Sequence, residues 1–83
     1  MDIFKTIQKI IKTNYPQIKE NITLDTVLGN IEYLDSLELA TIAVELEDKY
    51  QIRFPDEDLE ELKNKTVKEI VKEIDDLIAN KKK

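Results

Sequence analysis

Hydrophobic residues recur every three or four positions in three stretches of this chain, with charged residues between them. This spacing puts the hydrophobic side chains on one side of a helix and the charged ones on the other. The first stretch predicts a helix over about residues 2–13, with Asp2 as N-cap and Asn14-Tyr15-Pro16 as its end, because the residue before proline disfavours helical backbone angles. Its core-facing residues are Ile3, Ile7, Ile10 and Ile11.

The second stretch predicts a helix over about residues 36–50. Asp35 is a good N-cap, and Glu38 stands three positions later, as a capping box requires. Ser36 is then the first residue of the helix. The hydrophobic stripe consists of Leu39, Ile42, Ala43, Leu46 and Tyr50, whereas Glu38, Thr41, Glu45 and Asp48 form a stripe that faces water.

Two further helices are predicted after Phe54-Pro55 interrupts the pattern. A short one covers about residues 56–62, with Phe54, Leu59 and Leu62 as core contacts. The last covers about residues 66–79 and begins with the capping box Thr66-x-x-Glu69. Its inner face comprises Val67, Ile70, Val71, Ile74, Leu77 and Ile78, and residues 80–83 are expected to fray.

The long connection over residues 15–34 contains hydrophobic residues throughout, so we expect it to pack across the helices. Thr23 or Asp25 is a candidate cap for a short turn at residues 26–28. No repeat or composition change divides the chain. The expected fold is therefore all-α: one domain over residues 1–83, with three longer helices and a short third helix in a small four-helix bundle with a long first loop.

Composition narrows the range of functions. The chain has 83 residues, of which 41% are hydrophobic and 37% charged, which is typical of one small folded domain. It contains no cysteine and no histidine, so thiolate chemistry and the usual general base are excluded. The net charge of -5 disfavours nucleic acid and favours basic protein surfaces as partners. Without a signal-like or membrane-spanning hydrophobic run, we expect a cytoplasmic protein.

Ser36 is the only serine, and its predicted place at a helix N-terminus is chemically significant. Unpaired N–H groups and the helix dipole would stabilise an anion attached there. The alternative is that Ser36 only supports the cap. The acidic run at residues 56–61 lacks the further oxygen ligands and the glycine of a calcium loop, so solvated surface is preferred and no metal site is expected.

Several motifs resemble those of acyl carrier proteins and their D-alanyl and peptidyl carrier relatives. They are Asp35-Ser36-Leu37 with the acidic helix after it, Phe54-Pro55-Asp56-Glu57, and Thr66-Val67 at the start of the last helix. The resemblance implies that a carrier-protein synthase, a phosphopantetheinyl transferase, attaches 4'-phosphopantetheine from coenzyme A to Ser36, and that Asp35 helps it position its metal. Tyr33-Leu34 before the motif is more similar to D-alanyl and peptidyl carriers.

The resemblance also implies two sets of further site residues. Partner enzymes with basic docking surfaces would contact Leu37, Glu38, Thr41, Val44, Glu45, Asp48, Asp56 and Glu57. A sheltered acyl chain would lie among Leu39, Ile42, Leu46, Phe54, Leu59, Leu62 and Ile70. Taken alone, the first set is also what a solvated helix face looks like, the second is also an ordinary core, and Leu37 could instead cover the first loop.

These observations favour a free-standing, monomeric carrier of acyl intermediates in fatty-acid, polyketide or related biosynthesis, not an enzyme. A D-alanyl or peptidyl carrier is the alternative within the class, and an unmodified acidic helical interaction domain is the alternative outside it. A serine hydrolase is disfavoured, because there is no histidine and helical spacing puts no lysine beside Ser36. The sequence leaves the cargo and the pathway open.

Overall fold

The computed structural model describes residues 2–81, which form four α-helices and no strand. The helices are α1 (Ile3–Asn14), α2 (Ser36–Tyr50), α3 (Asp56–Glu61) and α4 (Val67–Lys81). Two single 3₁₀ turns, Leu28–Asn30 and Leu62–Asn64, complete the regular structure. The predicted all-α class, with three longer helices and a short third one, is confirmed. Within residues 2–81 no helix is both long and hydrophobic enough to cross a membrane.

The helix bounds differ from the prediction mainly at the later elements. The short third helix ends at Glu61, because Leu62 begins a 3₁₀ turn. The prediction of a frayed tail from residue 80 was wrong, since α4 continues to Lys81, whose positive charge suits the negative end of the helix. Lys82 and Lys83, the rest of that predicted tail, lie outside the described residues.

Side chains cap three of the four helices. The Asp2 carboxylate accepts a hydrogen bond from the Lys5 N–H, 3.1 Å away. The Thr66–Glu69 box is complete, since the Thr66 N–H donates to the Glu69 carboxylate at 2.9 Å and the Glu69 N–H donates to the Thr66 hydroxyl at 3.2 Å. Because each residue satisfies a donor of the other, the predicted box at α4 is confirmed.

The predicted capping box of α2 forms only in part. The Asp35 carboxylate accepts from the Glu38 N–H at 2.9 Å, as expected. The Glu38 carboxylate does not return to the Asp35 backbone, but accepts a hydrogen bond from the Tyr15 hydroxyl at the end of α1. Tyr15 is the C-cap residue of α1, and a contact 23 residues away along the chain is invisible to a local motif.

The core is formed by the inner faces that the hydrophobic spacing predicted. All four isoleucines of α1 and all five residues of the α2 stripe are buried. In α4 the inner face divides, because Val67, Ile70 and Ile74 are buried whereas Val71, Leu77 and Ile78 pack against the core at its edge and are only partly buried.

The first loop packs across the helices, as predicted. Five of its hydrophobic residues are buried, namely Ile18, Ile22, Leu28, Ile31 and Leu34, whereas Leu24 is 42% exposed. The Thr26 carbonyl accepts from the Val67 N–H at 2.8 Å, which ties the loop to the beginning of α4. The turn predicted at residues 26–28 lies earlier, at residues 23–26, where the Thr26 N–H donates to the Thr23 carbonyl at 3.1 Å and the candidate cap Thr23 accepts the Asp25 N–H through its hydroxyl at 3.3 Å. The 3₁₀ turn at Leu28–Asn30 follows separately and has no side-chain cap.

The two 3₁₀ turns pack closely against each other and hold the region next to the α2 N-terminus. Gly29 lies so close to the second turn that a Cβ atom there would be 2.2 Å from the Lys63 carbonyl oxygen. Only glycine permits this approach. Below the turns, Lys65 pairs with Glu73 of α4 at 2.7 Å and with Asp58 of α3 at 3.9 Å, which ties the short helix to the last one.

Tyr15 connects α1 to α2 through its side chain. It is 9% exposed, and its hydroxyl donates to Glu38. Burial raises the pKa of this phenol to about 12, and the hydrogen bond and negative charge of Glu38 add to the effect, because both disfavour a phenolate. The protonated phenol is therefore part of the folded structure.

The raised pKa predicts how Tyr15 contributes to stability at high pH. Below about pH 10 the phenol is protonated in both states, so its contribution is complete. Between about 10 and about 12 the unfolded chain loses this proton first, and the contribution of Tyr15 disappears. Urea unfolding from pH 9 to 11.5 should therefore show a steeper loss of stability in the wild type than in Tyr15→Phe. Lysine ionisation affects both proteins alike. If the free energy of unfolding fell equally with pH in both, the raised pKa of Tyr15 would be contradicted.

Candidate functional site

Ser36 is the first residue of α2 and its side chain is exposed. Asp35 caps the helix with one carboxylate oxygen, and the Asp35 carbonyl accepts the first helical hydrogen bond from the Leu39 N–H at 2.9 Å. Both bonds fix the backbone on either side of the serine. Since the side chain of Ser36 makes no hydrogen bond within the described residues, its hydroxyl is available to an approaching reagent.

The electrostatics at this place suit an attached anion. The N–H groups of the first turn of a helix have no partner inside the helix, and the dipole gives this end a partial positive charge. The Glu38 N–H is already used by Asp35, which leaves those of Ser36 and Leu37. A phosphodiester on the Ser36 oxygen would thus lie beside unpaired donors.

A surface groove of about 560 Å³ opens directly at Ser36, between α2 and the α3 segment. Its walls combine hydrophobic and polar side chains, as a flexible arm with amide and methylene groups would require. The residues that line it are Ser36, Leu39, Ala40, Leu59, Glu60, Glu61, Lys63 and Asn64. The described residues therefore fit a phosphopantetheine group attached to Ser36. A larger depression of about 860 Å³ between α1 and the first loop does not include Ser36.

Sequence reasoning missed most of this groove. Ala40, Glu60, Lys63 and Asn64 have no motif of their own and converge only because the second 3₁₀ turn follows α3 directly. The one available signal was Ala40, a small residue one turn after Ser36 on the outer side of α2.

The predicted docking residues lie at the surface. Leu37 is 72% exposed and Val44 is 55% exposed, so Leu37 does not cover the first loop. Glu38 is half-buried beside Tyr15, and the remaining predicted positions Thr41, Glu45, Asp48, Asp56 and Glu57 are exposed. Two hydrophobic side chains thus stand on a face that is otherwise polar and acidic.

Six of the seven predicted pocket residues line one interior cleft. Leu39, Ile42, Leu46, Phe54, Leu62 and Ile70 meet there, together with Ile7, Leu28 and Ala43. The cleft holds only about 10 Å³, which is the space of about one water-sized probe. Leu59 does not reach it and lines the surface groove instead. Leu39 belongs to both linings and separates the groove from the cleft.

Comparison with known proteins agrees with this geometry. Residues 5–74 match the family described as "Phosphopantetheine attachment site". The chain is 36% identical over 69 residues to the acyl carrier protein of Coprothermobacter proteolyticus, covering 83% of this chain and 82% of that protein. It is 33% identical over 62 residues to the acyl carrier protein of Lactobacillus acidophilus, covering 75% and 78%. No solved structure matches the chain at a significant level.

The matched region contains all of α2 with its exposed N-terminal serine, the groove beside that serine, and most of the helical core. The cofactor that this family carries, 4'-phosphopantetheine, is also the group that the groove and the helix N-terminus suit. The chain is a phosphopantetheine carrier and belongs to the acyl carrier protein family.

Proposed function

We propose that Ser36 is the attachment residue and that the protein carries acyl intermediates as thioesters on the attached arm. The observation that supports this most is the exposure of the only serine of the chain at the N-terminus of α2, where the groove begins. The phosphopantetheine group supplies a terminal thiol on a long arm, which the chain itself lacks because it has no cysteine. Asp35 and the first turn of α2 hold the serine in place.

The attachment is a phosphoryl-type transfer from coenzyme A. The Ser36 oxygen forms a bond to the phosphorus that bears the pantetheine arm, the bond to the adenosine bisphosphate breaks, and the serine proton passes to a base on the transferase. We assign the base to the partner, because the chain has no histidine, the usual general base near neutral pH. Accordingly, we assign this protein the role of substrate for partner enzymes, not that of an enzyme.

The outer face of α2 and the start of α3 would dock those partners. Carboxylates of Glu45 and Asp48 are exposed there, and α3 adds Asp56 and Glu57 in its first turn. Such a surface attracts basic partners and accelerates association in a salt-dependent manner. The exposed Leu37 and Val44 would supply the hydrophobic contacts at its centre.

Sheltering of a bound acyl chain requires the core to open. The interior cleft is closed at about 10 Å³, so a chain that entered from the groove would displace Leu39 and spread α2 from the second 3₁₀ turn. Leu62 and Ile70 would then form the far wall. The short α3 has no fully buried residue, and its Asp58 lies as far as 3.9 Å from Lys65, which makes this side the one that can move at the least cost.

For the cargo, we favour acyl groups of fatty-acid, polyketide or related biosynthesis, in agreement with the two similar acyl carrier proteins. The Tyr33-Leu34 pair before Asp35 supports a D-alanyl or peptidyl carrier as the second candidate. The acidic surfaces of α2 and α3 favour an acyl carrier over a D-alanyl or peptidyl carrier. The protein would act as a monomer in the cytoplasm, and an unmodified interaction domain is the alternative if Ser36 accepts no arm.

Incubation with coenzyme A, magnesium and a broad-specificity transferase tests the attachment. Intact-protein mass spectrometry should show one phosphopantetheine on the wild type and none on Ser36→Ala. Thr13→Ala is the control, since Thr13 is an exposed hydroxyl at the end of α1 that lies outside the groove. The same modified protein should then accept malonyl or acyl groups from their transferases and not amino acids from adenylating enzymes. Addition to Ser36→Ala would overturn the proposal.

Charge reversal tests the docking surface. Asp48→Lys on α2 should raise the KM of the transferase for this protein by about threefold to thirtyfold at low salt, and the effect should shrink in about 0.5 M salt. Glu20→Lys is the matched control, because Glu20 is an exposed carboxylate on the first loop and changes the net charge equally. Equal effects of the two substitutions would show that only net charge matters and would contradict the assigned surface.

A further inference from the structure

The end of α1 faces the acidic stripe of α2. Two consecutive residues there donate hydrogen bonds to carboxylates of α2. The Tyr15 hydroxyl donates to Glu38, and the Asn14 amide donates to Glu45 over 3.2 Å. The second contact is exposed on both sides, whereas the first is partly buried. The hydrogen bond between Tyr15 and Glu38 is therefore the better shielded from water and the stronger structural link of the two.

Tyr15 is itself held firmly. Its N–H donates to the Ile11 carbonyl at 2.8 Å, and its own carbonyl accepts from the Ile18 N–H at 3.0 Å. Pro16 follows and restricts the backbone further. With the ring 9% exposed, the hydroxyl is a donor in a fixed position.

The hydrogen bond from the Tyr15 hydroxyl restricts the rotamers of the Glu38 side chain. A glutamate on an exposed helix face samples several rotamers, and a partner that binds it must order the side chain. Here the carboxylate is held before any partner arrives. It lies two residues after Ser36 in α2, about 3 Å farther along the helix axis and about 200° around it, so the two residues share the first turn while Glu38 faces the end of α1 and Ser36 faces the groove. A carboxylate that accepts one hydrogen bond retains further lone pairs for a lysine or arginine.

We propose that Tyr15 is a positioning residue, which holds the Glu38 carboxylate in the first turn of α2 in readiness for a basic side chain of the transferase. This proposal rests on the attachment at Ser36 proposed above. It assigns a role in partner recognition to a residue outside α2 and α3, and it distinguishes Glu38 from Glu45 and Asp48, whose side chains remain exposed.

Steady-state kinetics of phosphopantetheine transfer test the proposal. Tyr15→Phe should raise the KM of the transferase for this protein by about twofold to tenfold and leave kcat unchanged, since only ordering before binding is lost. Glu38→Ala should raise KM at least as much, and adding Tyr15→Phe to it should have no further effect. An equal additional rise in the Glu38→Ala background would overturn the proposal, and so would an unchanged KM in a folded Tyr15→Phe protein.

Tyr50→Phe is the matched control. Tyr50 is also a buried tyrosine, its hydroxyl has no hydrogen-bond partner within residues 2–81, and it lies at the other end of α2, about 21 Å from Ser36. Removal of the Tyr50 hydroxyl should leave the KM of the transferase for this protein unchanged. A rise in KM equal to that of Tyr15→Phe would attribute the effect to general loosening of α2 and overturn the positioning role.

Nuclear magnetic resonance of the wild type gives a test that needs neither variant nor transferase. The side chain of Glu38 should show one dominant rotamer, whereas that of Asp48 should be averaged. An order parameter of the Glu38 side chain below about 0.6 would overturn the proposal even if attachment at Ser36 is correct. Conversely, an ordered Glu38 in a protein that accepts no phosphopantetheine would identify the attachment as the part that fails.

Discussion

The five hydrophobic residues of the α2 stripe are buried and hold this helix against its neighbours. This helix contacts α1, α3 and both 3₁₀ turns, so most other elements take their position from it. Each fully buried leucine or isoleucine of the stripe contributes about 1.5–3 kcal/mol. Because the stripe fixes both the axis and the rotation of α2, the N-terminus with Ser36 is directed to solvent. The exposed serine thus stands at the start of a helix whose inner face is buried along its length.

Charged and polar side chains cover the outer surface of α2 and α3 and link these helices to α4 and α1. The chain carries a net charge of -5, and much of its acidity lies on α2 and α3, where it faces solvent. Repulsion among these carboxylates is a cost that basic partners would relieve. Within the protein, Lys65 ties α3 to α4, and the Tyr15 hydroxyl ties Glu38 to α1. The carboxylates on α2 and α3 that repel one another in the isolated protein would therefore attract basic partners when it docks.

Local patterns were enough to predict the helices and their inner faces, because hydrophobic spacing and capping residues act over a few positions. The Thr66–Glu69 box and the buried stripe of α2 are examples. Contacts between distant residues were beyond such patterns. The partner of Glu38 is 23 residues away, and the close approach of Gly29 to Lys63 joins two turns that no motif marks. For the site, the position of Ser36 was predictable, whereas the groove was not, since it depends on how α3 and the second turn pack.

We propose that Ser36, and no other residue, carries the phosphopantetheine. Tandem mass spectrometry of the protein isolated from cells that contain a carrier-protein transferase would decide this, because fragmentation locates the group on the chain. We expect the mass of phosphopantetheine on the peptide that contains Asp35-Ser36-Leu37, on the serine itself, with every other hydroxyl unmodified. The group on a threonine or tyrosine, with Ser36 unmodified, would contradict it.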